Sequence, residues 1–260
     1  MSQVAPLAQD FRGTGAEVRT LAALAWPISL ALLATVGMGT VDTVLIGRLG
    51  EDALSALGQA NIWTWSVVTL ARGTLRSLEG TLTHATGAGD LDRARGLLSS
   101  GLGAAIALSM PVIAFYLLAG EGLRLLGQPE RQIPLATAYC WALAPSVLPR
   151  MIEVVAQIAV NARGRTRPAF VATLFGNALN VVLAVVLIYG IGPFAGWGVV
   201  GAGIATTIAQ TAQTFFFLWL VWDDLAPLWP SWAGLTALRP IARTIRGGNS
   251  RSRSRCRRRA

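Results

Sequence analysis

The sequence predicts an all-α polytopic membrane protein, and three observations carry that reading: a composition too apolar for a soluble domain, uncharged stretches of bilayer-crossing length, and basic residues sorted to one side of those stretches. Of 260 residues, 53% are hydrophobic and only 13% charged, with a mean hydropathy of +0.52. A soluble domain carries about 25% charged residues. All 22 basic residues are Arg, and nine of them lie in the last 22 positions with no acid among them. The other 13 balance the 13 acids, so the formal charge of +9 belongs to the tail. The basic balance therefore says nothing about nucleic-acid binding by the body of the chain.

A hydrocarbon core of about 30 Å needs about 20 residues of helix. The uncharged gaps run over 20–41, 53–71, 96–120, 132–149 and 168–222. The last is too long for one crossing, and the run Gly190-Ile191-Gly192-Pro193-Phe194-Ala195-Gly196-Trp197-Gly198 divides it. Six spans follow, at about 21–46, 54–83, 97–119, 133–161, 169–189 and 199–222. A cytoplasmic segment, 1–20, precedes them. Basic loop residues orient the spans. With the N-terminus inside, that side receives Arg12, Arg19, Arg93, Arg95, Arg163, Arg165 and Arg167, and the other only Arg48, Arg124 and Arg131. Both termini are thus expected in the cytoplasm. Trp26, Trp197, Trp219 and Trp222 fall near span ends, where an indole keeps its N–H wet, although Trp also serves as ordinary packing.

The first apolar run is long, carries Asp42 at its far end and shows no small-residue cleavage site, so it is read as a retained span. Cys140 and Cys256 suggest neither a disulfide framework nor a metal site. Gly87-Ala88-Gly89-Asp90 lacks the Lys and Ser or Thr of a phosphate loop, which argues against ATP-driven transport. The single histidine, His84, has no triad partner and no second metal ligand in sight, so an enzyme reading finds no support and His84 reads as an interfacial residue.

Ionisable groups inside a bilayer are costly and by default mark function. Asp42 lies about 9 Å inside the outer end of the first span by helical rise. It either takes up a proton or cation, or merely reaches the interface or caps a neighbouring helix. Asn177 and Asn180 share a face of the fifth span beside Gly176, and their amides either coordinate a cation or bond between helices. Arg72, Arg76, Glu79 and Thr83 form a stripe on the second span; Arg150, Glu153, Gln157 and Asn161 repeat it on the fourth. Arg76 with Glu79, Arg150 with Glu153, and Glu79 with Arg150 are expected to pair. The stripes either line a central cavity, offering polar contacts to substrate, or form a mutually neutralising structural network.

The segment Leu24 to Gly58 resembles the first helix of multidrug and toxic compound extrusion (MATE) transporters, with Trp26-Pro27-Ile28 opening it and Val41-Asp42-Thr43-Val44-Leu45-Ile46-Gly47-Arg48-Leu49-Gly50 closing it. Further landmarks follow in the family's order: Gly87-Ala88-Gly89-Asp90 with Arg93-Ala94-Arg95, Leu125-Leu126-Gly127-Gln128, Gly164-Arg165-Thr166-Arg167-Pro168, Gly176-Asn177-Ala178-Leu179-Asn180, Leu187-Ile188-Tyr189-Gly190, and Gly198 to Thr206. The resemblance covers about 220 residues of the chain. It implies one six-helix lobe of a two-lobed antiporter of the cytoplasmic membrane, in which cation entry drives expulsion of organic, often cationic, compounds. It also implies a cation-responsive acid at Asp42, with helix-five amides at Asn177 and Asn180. Many members carry a second Asp one turn after the last Asn, where this chain has Ala184. With a single carboxylate, H⁺ is the expected coupling ion over Na⁺, and no cofactor is expected. The Arg and Glu stripes are not carried over from the family.

Family members have twelve helices. Residues 223–246 read as the start of the inter-lobe connector, with Leu235, Leu238, Ile241, Ala242 and Ile245 at helical spacing. Residues 247–260 are an Arg-rich, disordered tail, read as the product of a truncation or frameshift after about residue 246. The missing second lobe, or self-association of two copies, is the expected protein partner, and specific nucleic-acid binding is not expected. The rival readings are an inactive half-transporter, a lipid or oligosaccharide flippase of the same wider superfamily, and an interaction protein acting through its tail, whose Arg could hold anionic lipid.

Overall fold

The structure is a computed structural model that describes residues 26, 29, 37, 39–190 and 195–226. The N-terminal segment, most of the first span, the connector beyond residue 226 and the Arg-rich tail lie outside the described residues. Among the described residues there are helices and turns and no strands. Helix α1 is seen over 39–47. It is followed by α2 (Glu51–Arg76), α3 (Leu78–Gly87), α4 (Leu91–Leu117), α5 (Ala119–Leu125), α6 (Ile133–Leu143), α7 (Val147–Asn161), α8 (Arg167–Tyr189), α9 (Gly198–Leu220) and α10 (Trp222–Leu225). The helices Leu91–Leu117, Ile133–Asn161 and Arg167–Tyr189 are long and apolar enough to cross a membrane. Helices α2 and α9 reach similar lengths, 26 and 23 residues, but α9 is diluted by four Thr and two Gln.

Local chemistry explains where the observed helices depart from the expected spans. The stretch 54–83 is not one helix: it breaks at Ser77, whose Oγ donates to the Thr74 carbonyl at 2.7 Å while its N–H turns to the same oxygen. A serine that bonds back to the preceding turn competes with the helical ladder. The third span begins at Leu91, earlier than the charge pattern suggests, because the Asp90 side chain accepts from the Arg93 N–H at 3.0 Å and caps the helix there. The fourth span is interrupted by a 3₁₀ turn over Ala144–Ser146. Pro145 has no N–H to give the ladder, and Ser146 Oγ bonds the Leu143 carbonyl at 2.7 Å.

The tightest seam joins α8 and α9. A Cβ at Gly176 would stand 2.1 Å from Gln213 Oε1, and one at Gly201 would stand 2.3 Å from the Leu187 carbonyl oxygen. Small residues let two helices approach where lipid supplies no hydrophobic drive for association. Tyr189 at the end of α8 donates to the Leu45 carbonyl at 2.6 Å, tying α8 to α1. Trp63 of α2 stacks on Phe115 with ring centroids 4.2 Å apart and donates to the Phe115 carbonyl at 2.9 Å, which fixes α2 against α4. Below the lobe, Arg163 donates to the Asp224 carbonyl and Arg165 pairs with the Asp224 carboxylate, binding the α7–α8 turn to α10. The outward faces are apolar: Ile62, Leu70, Val182, Phe215 and Trp219 are exposed in the isolated lobe, as lipid-facing side chains are.

Candidate functional site

Helices α1, α2, α4, α6, α7 and α9 enclose a cavity of about 110 Å³. Its polar wall carries Asp42, Asn61, Thr64, Tyr139, Thr206 and Gln210, and its other side carries Arg72, Tyr116 and Arg150. Val68, Leu143 and Val147 provide apolar surface between them.

Asp42 projects from α1 and is 6% exposed. Its Oδ1 finds no hydrogen-bond partner among the described residues. The Thr206 hydroxyl of α9 lies within hydrogen-bonding reach of its carboxyl and of the Tyr139 hydroxyl. Thr206 already donates its one proton to the Ala202 carbonyl at 2.9 Å, so its oxygen is left as an acceptor. One donor that takes up this acceptor is Asn180, whose Nδ2 reaches it at 3.2 Å. Asn180 is fully buried, and its Oδ1 also lacks a partner. Two buried oxygens, one from a carboxyl and one from an amide, are thus held near a shared threonine with acceptor capacity to spare. Such a group can bind a cation, and a protonated carboxyl there has Thr206 to donate to.

Asn180 bonds Thr206 on the cavity wall beside Asp42, and neither Asn180 nor the half-buried Asn177 lines the cavity itself. Ala184, one turn beyond Asn180, is buried, so no second acid enters from α8. Of the two stripes, only Arg72 and Arg150 reach the cavity. Arg76, Glu79, Thr83 and Asn161 are exposed, as is His84. None of the expected pairs, Arg76 with Glu79, Arg150 with Glu153 or Glu79 with Arg150, forms among the described residues. The break at Ser77 takes Glu79 onto a separate helix from Arg72.

Glu153 corrects the expectation in another way. It sits about 60° around α7 from Arg150, enough to move it from the cavity to the α7–α9 seam. There it is 4% exposed and surrounded by neutral donors, of which the Thr214 hydroxyl has one proton to share between Oε2 and the Gln210 carbonyl, also at 2.9 Å. Gln157 Nε2 and Gln213 Nε2 each reach Oε1 at 2.9 Å, and Thr214 Oγ1 reaches Oε2 at 2.9 Å. Gln157 is spent on Glu153 and does not line the cavity.

Sequence reasoning gave no role to Tyr139, Tyr116, Thr206 or Gln210. The available signal was the run of Thr and Gln at 206, 207, 210, 211, 213 and 214 in an otherwise apolar span, whose cost in a bilayer requires partners in protein.

A polytopic helical lobe with an internal polar cavity, a buried acid and small-residue helix seams has the build of a membrane transporter half rather than an enzyme. The MatE family model matches residues 27–186, and the chain belongs to that family. It is 34% identical over 187 residues to the "Probable multidrug resistance protein NorM" of Bradyrhizobium diazoefficiens, covering 72% of this chain and 40% of that relative. To the "Multidrug resistance protein NorM" of Burkholderia vietnamiensis it is 29% identical over 201 residues, covering 77% of this chain and 44% of the relative. Among solved structures, the outward-facing conformation of a multidrug resistance MATE family transporter of the MOP superfamily aligns at a TM-score of 0.74 and 21% identity, over 85% of this chain and 49% of that one. An inward-facing conformation of such a transporter aligns at 0.65 and 20% identity, over 83% and 51%. The chain is therefore an integral membrane protein with the fold of one MATE lobe, and it spans less than half the length of these two NorM relatives.

Proposed function

We propose that this chain is the N-terminal lobe of an H⁺-coupled antiporter that exports drugs or other organic compounds across a bacterial cytoplasmic membrane, with both termini on the cytoplasmic side. The observation that carries the reading is the buried Asp42 carboxyl, with one oxygen unpartnered on the wall of a cavity. Uptake or loss of a proton there changes the charge of the lobe's interior and the partners Asp42 can hold, which biases how α1 packs against α9. The absence of a second acid at Ala184 favours a proton over Na⁺, because a lone carboxylate with neutral neighbours offers a hard cation little charge. The names of the NorM relatives support multidrug efflux as the activity.

Because the chain spans less than half of those two relatives, the transport cycle requires a second lobe, either from the remainder of a longer chain or from a second copy. The test is efflux of a fluorescent organic dye from vesicles carrying this lobe, alone and with a relative's second lobe, under an imposed pH gradient. Gradient-driven transport that Asp42→Asn abolishes is the expected result. Transport that is unchanged in Asp42→Asn removes the role given to this carboxyl.

A further inference from the structure

Two guanidinium groups face the same membrane-embedded cavity, and among the described residues neither forms an ion pair. Arg72 comes from α2 and Arg150 from α7, both are half-buried, and they stand close enough for their charges to repel. Arg76, one turn further along α2, adds to that repulsion. The ion pairs formed among the described residues lie elsewhere: Arg95 with Asp92, Arg124 with Glu121 and Arg165 with Asp224. Among the described residues the acid that acts on Arg72 is Glu153, which is held on α7 by the Gln157 and Gln213 amides at Oε1 and neighboured by Thr214 at Oε2. Asp42, also on the cavity wall, has Thr206 and Tyr139 for neighbours.

We propose that the cavity contains a site for a single anionic group, a carboxylate, sulfonate or phosphate, bridged between Arg72 and Arg150, so that the lobe takes anionic or zwitterionic organic compounds. The proposal deepens the transporter reading by naming the charge of its cargo. Two half-buried cations without an ion-pair partner among the described residues are costly inside a membrane lobe, and one anion between them turns mutual repulsion into two attractions. Guanidinium presents a planar fork of donors that fits such groups in bidentate fashion. A cavity of about 110 Å³ has room for a headgroup of that size, given about 30 Å³ for each water displaced. Trp65 and Tyr116 on the same wall offer faces against which an aromatic or acyl portion of the compound can lie.

The full chain, purified in uncharged detergent, is titrated with dansylglycine, which is anionic, and with dansylglycinamide, its neutral counterpart, by fluorescence anisotropy. The acid should bind about tenfold more tightly than the amide, and Arg72→Gln or Arg150→Gln should each remove about tenfold of that affinity, with Arg72→Lys and Arg150→Lys restoring part of it. Equal affinity for acid and amide in the unaltered chain overturns the proposal, and this arm does not depend on any variant folding. Retained affinity in the Gln variants, with size-exclusion and melting profiles unchanged, overturns it as well. Competition identifies the source of the anion: displacement by inorganic phosphate points to free solutes, and displacement by phosphatidylglycerol but not phosphatidylcholine points to a lipid headgroup, both upholding the anion site. The measurement needs no gradient. Gradient-driven transport that is unchanged in Asp42→Asn, with charge discrimination intact, defeats the antiport reading alone; transport abolished in Asp42→Asn with acid and amide bound equally defeats this one alone.

Discussion

Among the described residues two carboxyl groups are buried, and they are treated in opposite ways. Glu153, on the seam between α7 and α9, has two amide donors at 2.9 Å on Oε1 and the Thr214 hydroxyl at 2.9 Å from Oε2, a proton it shares with the Gln210 carbonyl. Asp42, on the cavity wall, keeps Oδ1 without a partner, and its neighbour Asn180 keeps an amide oxygen likewise. A buried polar group left short of partners costs free energy, so it persists where something else is to occupy it. The saturated acid welds two helices, and the unsaturated one is available for exchange. Gln213 sharpens the contrast, since it touches Glu153 and is itself packed against Gly176 of α8, coupling three helices through one carboxylate.

The comparison breaks first at Asp42. Asp42→Asn preserves size and hydrogen bonding but fixes the charge state, so gradient-driven dye transport should fall to background while the melting temperature in detergent changes little. If transport survives and stability collapses, the roles assigned to the two acids are reversed. The next largest effect should be on stability at the seam. Glu153→Leu strands the Gln157 and Gln213 amide donors, while Thr214 keeps the Gln210 carbonyl, and should cost about 3 kcal/mol, read as a lowered unfolding midpoint. Glu153→Gln, which still accepts at one oxygen, should lose less than half as much.

Gly201→Val probes the seam without touching either acid. Its side chain would meet the Leu187 carbonyl oxygen, where a Cβ alone stands at 2.3 Å, and overpacking of this kind should cost about 1–3 kcal/mol, measured by the same midpoint. Thr206→Val removes the acceptor shared by Asp42 and Asn180. It should alter the pH dependence of transport more than its maximal rate, with a stability change of about 1 kcal/mol; a transport pH profile identical to that of the unaltered chain would deny Thr206 its bridging place. The smallest effect belongs to the Arg165–Asp224 pair at the base of the lobe. Arg165 is largely exposed, so Arg165→Ala should cost about 0–1 kcal/mol, with the difference shrinking as salt is added.

Much of this was legible before any coordinates. The uncharged gaps over 96–120 and 132–149 and the first half of 168–222 fall in helices long and apolar enough to cross a membrane, because the hydrocarbon core tolerates few charges and its thickness fixes the length of a crossing. The segment around Asp42 and the glycine and asparagine landmarks pointed to the MATE family, and Asp42 stood out as an acid inside a span. Asn180 was legible too, though its partner Thr206 was not, because a threonine in an apolar run shows no preference for function over back-bonding to its own helix.

Tertiary structure decided the rest. Spacing along a helix places residues on a face to within tens of degrees, and that was too coarse to separate Arg150, which reaches the cavity, from Glu153, which reaches α9. The break at Ser77 could not be read from the stripe that crosses it, since a serine bonding back to its own helix leaves the apolar pattern unchanged. Which carboxyl is saturated depends on Gln213 and Thr214, some 60 residues away in sequence. Composition and periodicity determine that these helices cross a membrane and bury polar groups between them. Only packing, which assigns each donor to one acceptor, determines which acid is closed and which is left open.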